Sequence, residues 1–181
     1  MSLDALREAL PDYAKDTRLN LGSVIGSSKL PAELVWGAAL ACAVAARNER
    51  VLREIAAEAA QHLSPEVIDA AKAAASIMAM NNVYYRAKHL ISDREYDSIP
   101  ARLRMQVIGN PGVDKTSFEF WCLAVSAVNG CGACLDSHEK VLRQAGMDRE
   151  TVHEALRIAG VVNAAAVTLA AEEALAEVTV G

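Results

Sequence analysis

Leu34-Val35-Trp36-Gly37-Ala38-Ala39-Leu40-Ala41-Cys42-Ala43-Val44-Ala45-Ala46 carries no charge and is dominated by alanine. Alanine is the strongest helix former, and it leaves a helix slender enough for close packing. Pro31 suits the first turn of such a helix, which is expected to run to about Arg47. A second run of this kind, Ile158 to Ala171, lies near the other end of the chain. Apolar residues make up 52% of the sequence but aromatics only 4%. Helical periodicity is plain and strand alternation scarce. The fold class expected is all-α.

Working outward, a first helix is expected from Asp4 to Tyr13, interrupted near Pro11. Asp16 to Ser28, with two glycines and three serines, reads as looser. A helix is expected over Asn48 to Gln61. Ser64 and Pro65 mark a helix start, as N-cap and first helical residue, and that helix continues to about His89. Ser92 to Ile99 is polar and turn-like, Arg102 to Ile108 short and apolar, and Asn110-Pro111-Gly112 a turn. Further helices are expected over Ser117–Val128, from Cys131 to Ala145 with Gly146 as its cap, and from Asp148 to about Glu177. A faint repeat pairs Trp36 with Trp121 and the helix start at Ser64 with that at Asp148. The expected architecture is a duplicated helical core forming one domain over 1–181, with paired thiols in the second half.

Net charge is −5 and the sequence pI about 5.4. No basic patch with interleaved aromatics exists, which argues against nucleic acid as a partner. The N-terminus lacks the cationic start and apolar run of a signal peptide. Both apolar runs fall short of the roughly 18 residues of a membrane span. A soluble cytoplasmic protein with no membrane partner is therefore expected. In a reducing cytosol four cysteines do not suggest structural disulfides, and a CxxC there points to catalysis or metal binding.

That CxxC is Cys131-Gly132-Ala133-Cys134, with His138 following. Asn129-Gly130 breaks the preceding helix, so Cys131 is expected in the first turn of the next. All three side chains then share one face. Free N–H groups and the helix dipole favour a thiolate at such a position, where CxxC thiols titrate at roughly 3.5–7.5. His138 stands one and two turns beyond the thiols and suits an acid/base role. Its charged neighbours Asp136, Glu139 and Lys140 leave open a solvated position. Glu119 is the only charged residue between Lys115 and Asp136. It is either a partly buried carboxylate available as a base or a complement to a helix N-terminus. Two thiolates, an imidazole and a carboxylate could also hold zinc, but structural zinc usually takes two paired motifs and only one CxxC is present. No metal is expected. Cys42 and Cys122 read as core thiols.

Glu119, Cys131-x-x-Cys134 and His138 in this spacing resemble the AhpD-like alkylhydroperoxidases of the carboxymuconolactone decarboxylase-like superfamily. The resemblance extends over nearly the whole chain. It takes in Leu10 to Asp16, Met80-Asn81-Asn82-Val83 with Tyr85-Arg86, Leu103-Arg104-Met105, Asn110-Pro111-Gly112, and Ala124 to Cys131. It implies an all-α homotrimer with a duplicated core. It also implies an antioxidant thiol peroxidase that reduces alkyl hydroperoxides and, with electrons from dihydrolipoamide on a lipoylated protein, reduces a partner peroxiredoxin of the AhpC type. No bound cofactor is implied. By the same resemblance Cys134 is the nucleophile, Cys131 resolves its sulfenic acid into a disulfide, and His138 and Glu119 move protons. Some members carry histidine where this chain has Ala133, so the relay would rest on Glu119 and His138 alone. The alternatives are a disulfide reductase with negligible peroxidase turnover and a metal-binding helical protein with inert thiols.

Overall fold

The computed structural model describes residues 3–179 and is all-α, with no strand among the described residues. Short helix α1 (Leu3–Glu8) leads through a 3-10 turn to α2 (Lys15–Leu21). Gly22–Gly26, expected to be loose, instead continues α2 as a single π-type turn. Leu21, Val24 and Ile25 are all buried there, so tertiary packing outweighs the low helix propensity of glycine and serine. The main elements follow as α3 (Ala32–Ala46), α4 (Glu49–Ala59), α5 (Pro65–Leu90), α6 (Gln106–Gly109), α7 (Lys115–Val128), α8 (Gly132–Gln144) and α9 (Arg149–Thr179).

Two helices that are apolar all round form the centre, as such helices must. In α3 every residue from Val35 to Ala43 is buried, and in α7 every residue from Ser117 to Ser126. They pack on one another and on the long helices α5 and α9. Gly37 sets their approach: a Cβ there would lie 2.3 Å from Cε2 of Trp121. Since overpacking a filled core costs roughly 1–3 kcal/mol, Gly37→Ala is expected to lower the denaturant midpoint by an equivalent amount. Measured equilibrium unfolding with an unchanged midpoint would contradict this packing.

The duplication is real, and the caps give its register. Asn48 caps α4 by accepting from Val51 N at 2.9 Å, and Cys131 occupies the same place on α8, its Sγ accepting from Cys134 N at 3.4 Å. The residues just before them, Arg47 and Gly130, both have positive φ, 60° and 66°. Ser64 and Asp148 cap α5 and α9 in turn. In this register α3-α4-α5 repeats as α7-α8-α9, and Trp36 corresponds to Glu119, not to Trp121 as the sequence suggested. The halves are interleaved: α5 packs on α7 and α8 of the other half, and α9 on α3 and α4.

Asp148 also carries a sign for acid stability. Hydrogen bonds from Thr151, its backbone N–H first, hold the Asp148 carboxyl below its ordinary value. Its cap is intact at neutral pH and lost as pH falls through that lowered value. One helix, Arg149–Ala176, is long and apolar enough to cross a membrane by length and composition alone, which the charge-free runs did not suggest. Here it lays Val152, Ala155, Ile158, Val162 and Leu169 into the core against α3 and α7.

Candidate active site at the α7–α8 corner

Helix α7 ends in a Schellman motif, with Gly130 N bonded to Ala127 O at 3.2 Å and Cys131 N to Ser126 O at 3.0 Å. The left-handed φ of Gly130 is the conformation this closure requires. The residue that terminates α7 therefore also caps α8, and Cys131 lies one step before the first turn expected for it. Cys131 and Cys134 form a disulfide, with Cα atoms 5.3 Å apart. Cys131 is fully buried, whereas Cys134 is 6% exposed and borders a cavity of about 330 Å³.

Glu119 and His138 meet beside this pair. Oε2 of Glu119 lies 2.6 Å from Nδ1 of His138, and both side chains are buried. Helix α7 supplies the carboxylate and α8 the imidazole, so their packing creates the pair. The other ring nitrogen, Nε2, lies 3.2 Å from Sδ of Met78 on α5. Both nitrogens of His138 are thus engaged, and neither bonds a cysteine sulfur. Glu119, His138 and Cys134 border the same cavity, whose remaining wall includes Tyr85, Met105, Ile108 and Val141. All four residues singled out from the sequence therefore come together. Among the described residues no group of three or more His, Cys, Asp or Glu converges as a metal site.

The other face of the corner comes from α5. Asn82 donates to Ser126 Oγ at 3.0 Å and accepts from Asn129 Nδ2 at 2.9 Å. Ser126 donates to Cys122 O at 2.8 Å, and Arg86 donates to Asn129 O. Asn81 contributes its backbone oxygen, 3.8 Å from Cys134 Sγ. This network fixes the turn that carries Cys131.

Cys42 and Cys122 are buried and unpaired. Burial pushes both thiols up from their ordinary value, and the Glu119 carboxylate adds to the effect at Cys122. Buried thiols of this kind are inert. After reduction of the native protein, iodoacetamide is expected to label Cys131 or Cys134 and to reach Cys42 and Cys122 only on unfolding. Peptide mapping that finds a bridge from the CxxC to Cys42 or Cys122 would contradict this assignment.

The carboxymuconolactone decarboxylase family model matches residues 94–177. Over the longer span, the protein of Streptomyces avermitilis named alkyl hydroperoxide reductase AhpD is 64% identical across 98% of this chain and 100% of its own length. The protein of that name from Streptomyces coelicolor is 64% identical over 97% of this chain and 99% of its own. That of Rhodospirillum centenum is 58% identical over 97% and 94%. The chain belongs to the AhpD family. The match to these relatives covers both halves of the duplication, although only the second half of this chain carries a CxxC. In the first half Trp36, Asn48, Val51 and Ile55 occupy the positions of Glu119, Cys131, Cys134 and His138. The AhpD site also draws on Met78, Asn81, Asn82 and Tyr85, to which sequence reasoning gave no role. The available signal was two adjacent asparagines inside an otherwise largely apolar helix.

Proposed function

We propose that this protein is an alkyl hydroperoxide reductase working through a dithiol/disulfide cycle of Cys131 and Cys134. The observation that carries the reading is the position of Cys134, bonded to a buried Cys131 and bordering a cavity that it shares with the Glu119–His138 pair. The names of the AhpD relatives support it.

In the reduced protein the Cys134 thiolate attacks the terminal oxygen of ROOH. The S–O bond forms as the O–O bond breaks, giving Cys134–SOH and RO⁻, which leaves as ROH with a proton from the Glu119–His138 pair. His138 has both nitrogens occupied, so Glu119 delivers the proton and His138 replenishes it through Nδ1. The Cys131 thiolate then attacks Cys134 sulfur and expels hydroxide, which is protonated to water. The disulfide accepts two electrons from a dithiol by two exchange steps. Dihydrolipoamide on a lipoylated protein fits that role, and the restored dithiol can pass electrons by the same chemistry to an AhpC-type peroxiredoxin. A reducing cytoplasm suits such a cycle.

A homotrimer completes the reading. The end of α5 and the following segment expose Val83, Ile91, Tyr96 and Ile99 around an apolar groove of about 890 Å³. Apolar surface of this extent supports burial between subunits. Light scattering at micromolar concentration is expected to give three times the chain mass, and a monomer would refute it. The function itself is tested by peroxide consumption with dihydrolipoamide, with and without a peroxiredoxin. Turnover without the peroxiredoxin supports the peroxidase; turnover only with it makes the protein a disulfide reductase.

A further inference from the structure

Asn81 is 4% exposed and borders the cavity with Cys134 and Glu119. Its side-chain Oδ1 is buried and has no hydrogen-bond partner among the described residues. Buried polar atoms are almost always paired, and leaving one unpaired costs about 1–3 kcal/mol. The neighbouring Asn82 obeys that rule, with donor and acceptor both engaged. The duplication shows that the fold itself has no need of an amide here. In the register set by the Ser64 and Asp148 caps, Met78, Asn81 and Asn82 correspond to Val162, Ala165 and Ala166, all buried. At these two matched positions asparagine is present only in the helix that faces the thiols.

Resting on the peroxidase reading above, we propose that the Asn81 amide binds the hydroperoxide group of the substrate at Cys134. The chemistry matches: R–O–O–H offers one donor and two acceptor oxygens, and a primary amide offers one carbonyl acceptor and two N–H donors. Oδ1 accepts from the terminal O–H, which aligns that oxygen with Cys134 sulfur. An amide N–H donates to the inner oxygen, the atom that gathers negative charge as the O–O bond breaks. A donor already in place at a developing oxyanion stabilises the transition state more than the ground state. The attack itself is the one described above, with sulfur oxidised to sulfenic acid, the peroxide reduced to alcohol, and the proton supplied by the Glu119–His138 pair.

The test separates the two half-reactions in single-turnover experiments on the full chain. Loss of reduced thiols is followed after mixing with tert-butyl hydroperoxide, and recovery of thiols from the disulfide after mixing with dithiothreitol. Asn81→Leu keeps the volume and removes an unpaired polar group. It is expected to melt no lower than wild type, to react with peroxide at least about tenfold more slowly, toward the ~10²-fold loss typical of a missing oxyanion donor, and to be reduced by dithiothreitol at the wild-type rate. Asn81→Ser, which retains a hydroxyl, is expected to fall between the two with peroxide, and it gives a second reading where the leucine variant does not fold. Wild-type peroxide rates in both variants overturn the assignment while leaving the peroxidase intact. Equal slowing of both half-reactions, with a lower melting temperature, makes Asn81 structural. A wild-type protein whose thiols ignore the peroxide overturns this assignment together with the reading beneath it.

Discussion

Cys134→Ser is expected to abolish peroxide turnover, while Cys131→Ser permits one chemical event and then stalls. The asymmetry follows from access. Cys134 borders the cavity, and Cys131 is fully buried behind it as the cap of α8. A hydroperoxide entering the cavity therefore meets Cys134 sulfur first. In Cys131→Ser no neighbouring thiol can condense with the sulfenic acid, which persists or is oxidised further. Dimedone should trap it on Cys134 in that variant and find nothing on Cys131 in Cys134→Ser. Reduction has the same polarity. An incoming dithiol reaches Cys134 and expels Cys131; in Cys131→Ser, a monothiol that condenses with the Cys134 sulfenic acid, releasing water, should accumulate as a mixed disulfide on Cys134. Trapping on Cys131 instead would reverse the two roles.

Helix positions were legible where a short stretch of chain carries the whole signal. Ser64-Pro65, Asp148 and Gly146 each mark a helix end by local chemistry, and the structure places ends at all three. Gly22–Gly26 was misread because its helical turn is held by burial of Leu21, Val24 and Ile25, which composition does not reveal. The duplication was visible, but the tryptophans misled its register. Trp121 needs the space above Gly37, a packing feature of one site, whereas the caps and positive-φ residues recur in both halves. At the site, spacing alone put Cys131, Cys134 and His138 on one helix face. The Glu119–His138 contact required the packing of α7 on α8. Met78 was beyond reach, and Asn81 showed only as one of two adjacent asparagines in α5, since nothing local connects that helix with a corner formed some fifty residues later.

Glu119→Gln and His138→Gln are each expected to slow peroxide reduction at least about tenfold, at the lower side of the ~10²–10⁴-fold that positioned acid/base groups contribute. The two variants should part in stability. Glutamine at 119 keeps an amide oxygen for His138 Nδ1 and removes the charge, leaving a neutral hydrogen bond in a buried place. Glutamine at 138 removes the ring from between Glu119 and Met78 and leaves a carboxylate without its partner, a change that costs about 3–5 kcal/mol when a buried pair is broken. Chemical unfolding should therefore show His138→Gln as the less stable protein, with both variants keeping the wild-type helical content by circular dichroism. The pH profile carries the mechanistic content. If the pair supplies the leaving alcohol's proton, the rate of thiol loss to peroxide should change its pH dependence in both variants, while the rate of disulfide reduction by dithiothreitol changes less. Stoichiometric zinc in the purified wild-type protein, lost in both variants, would instead make these residues ligands. Wild-type rates and pH profiles in both would leave Glu119 and His138 as a structural link between α7 and α8.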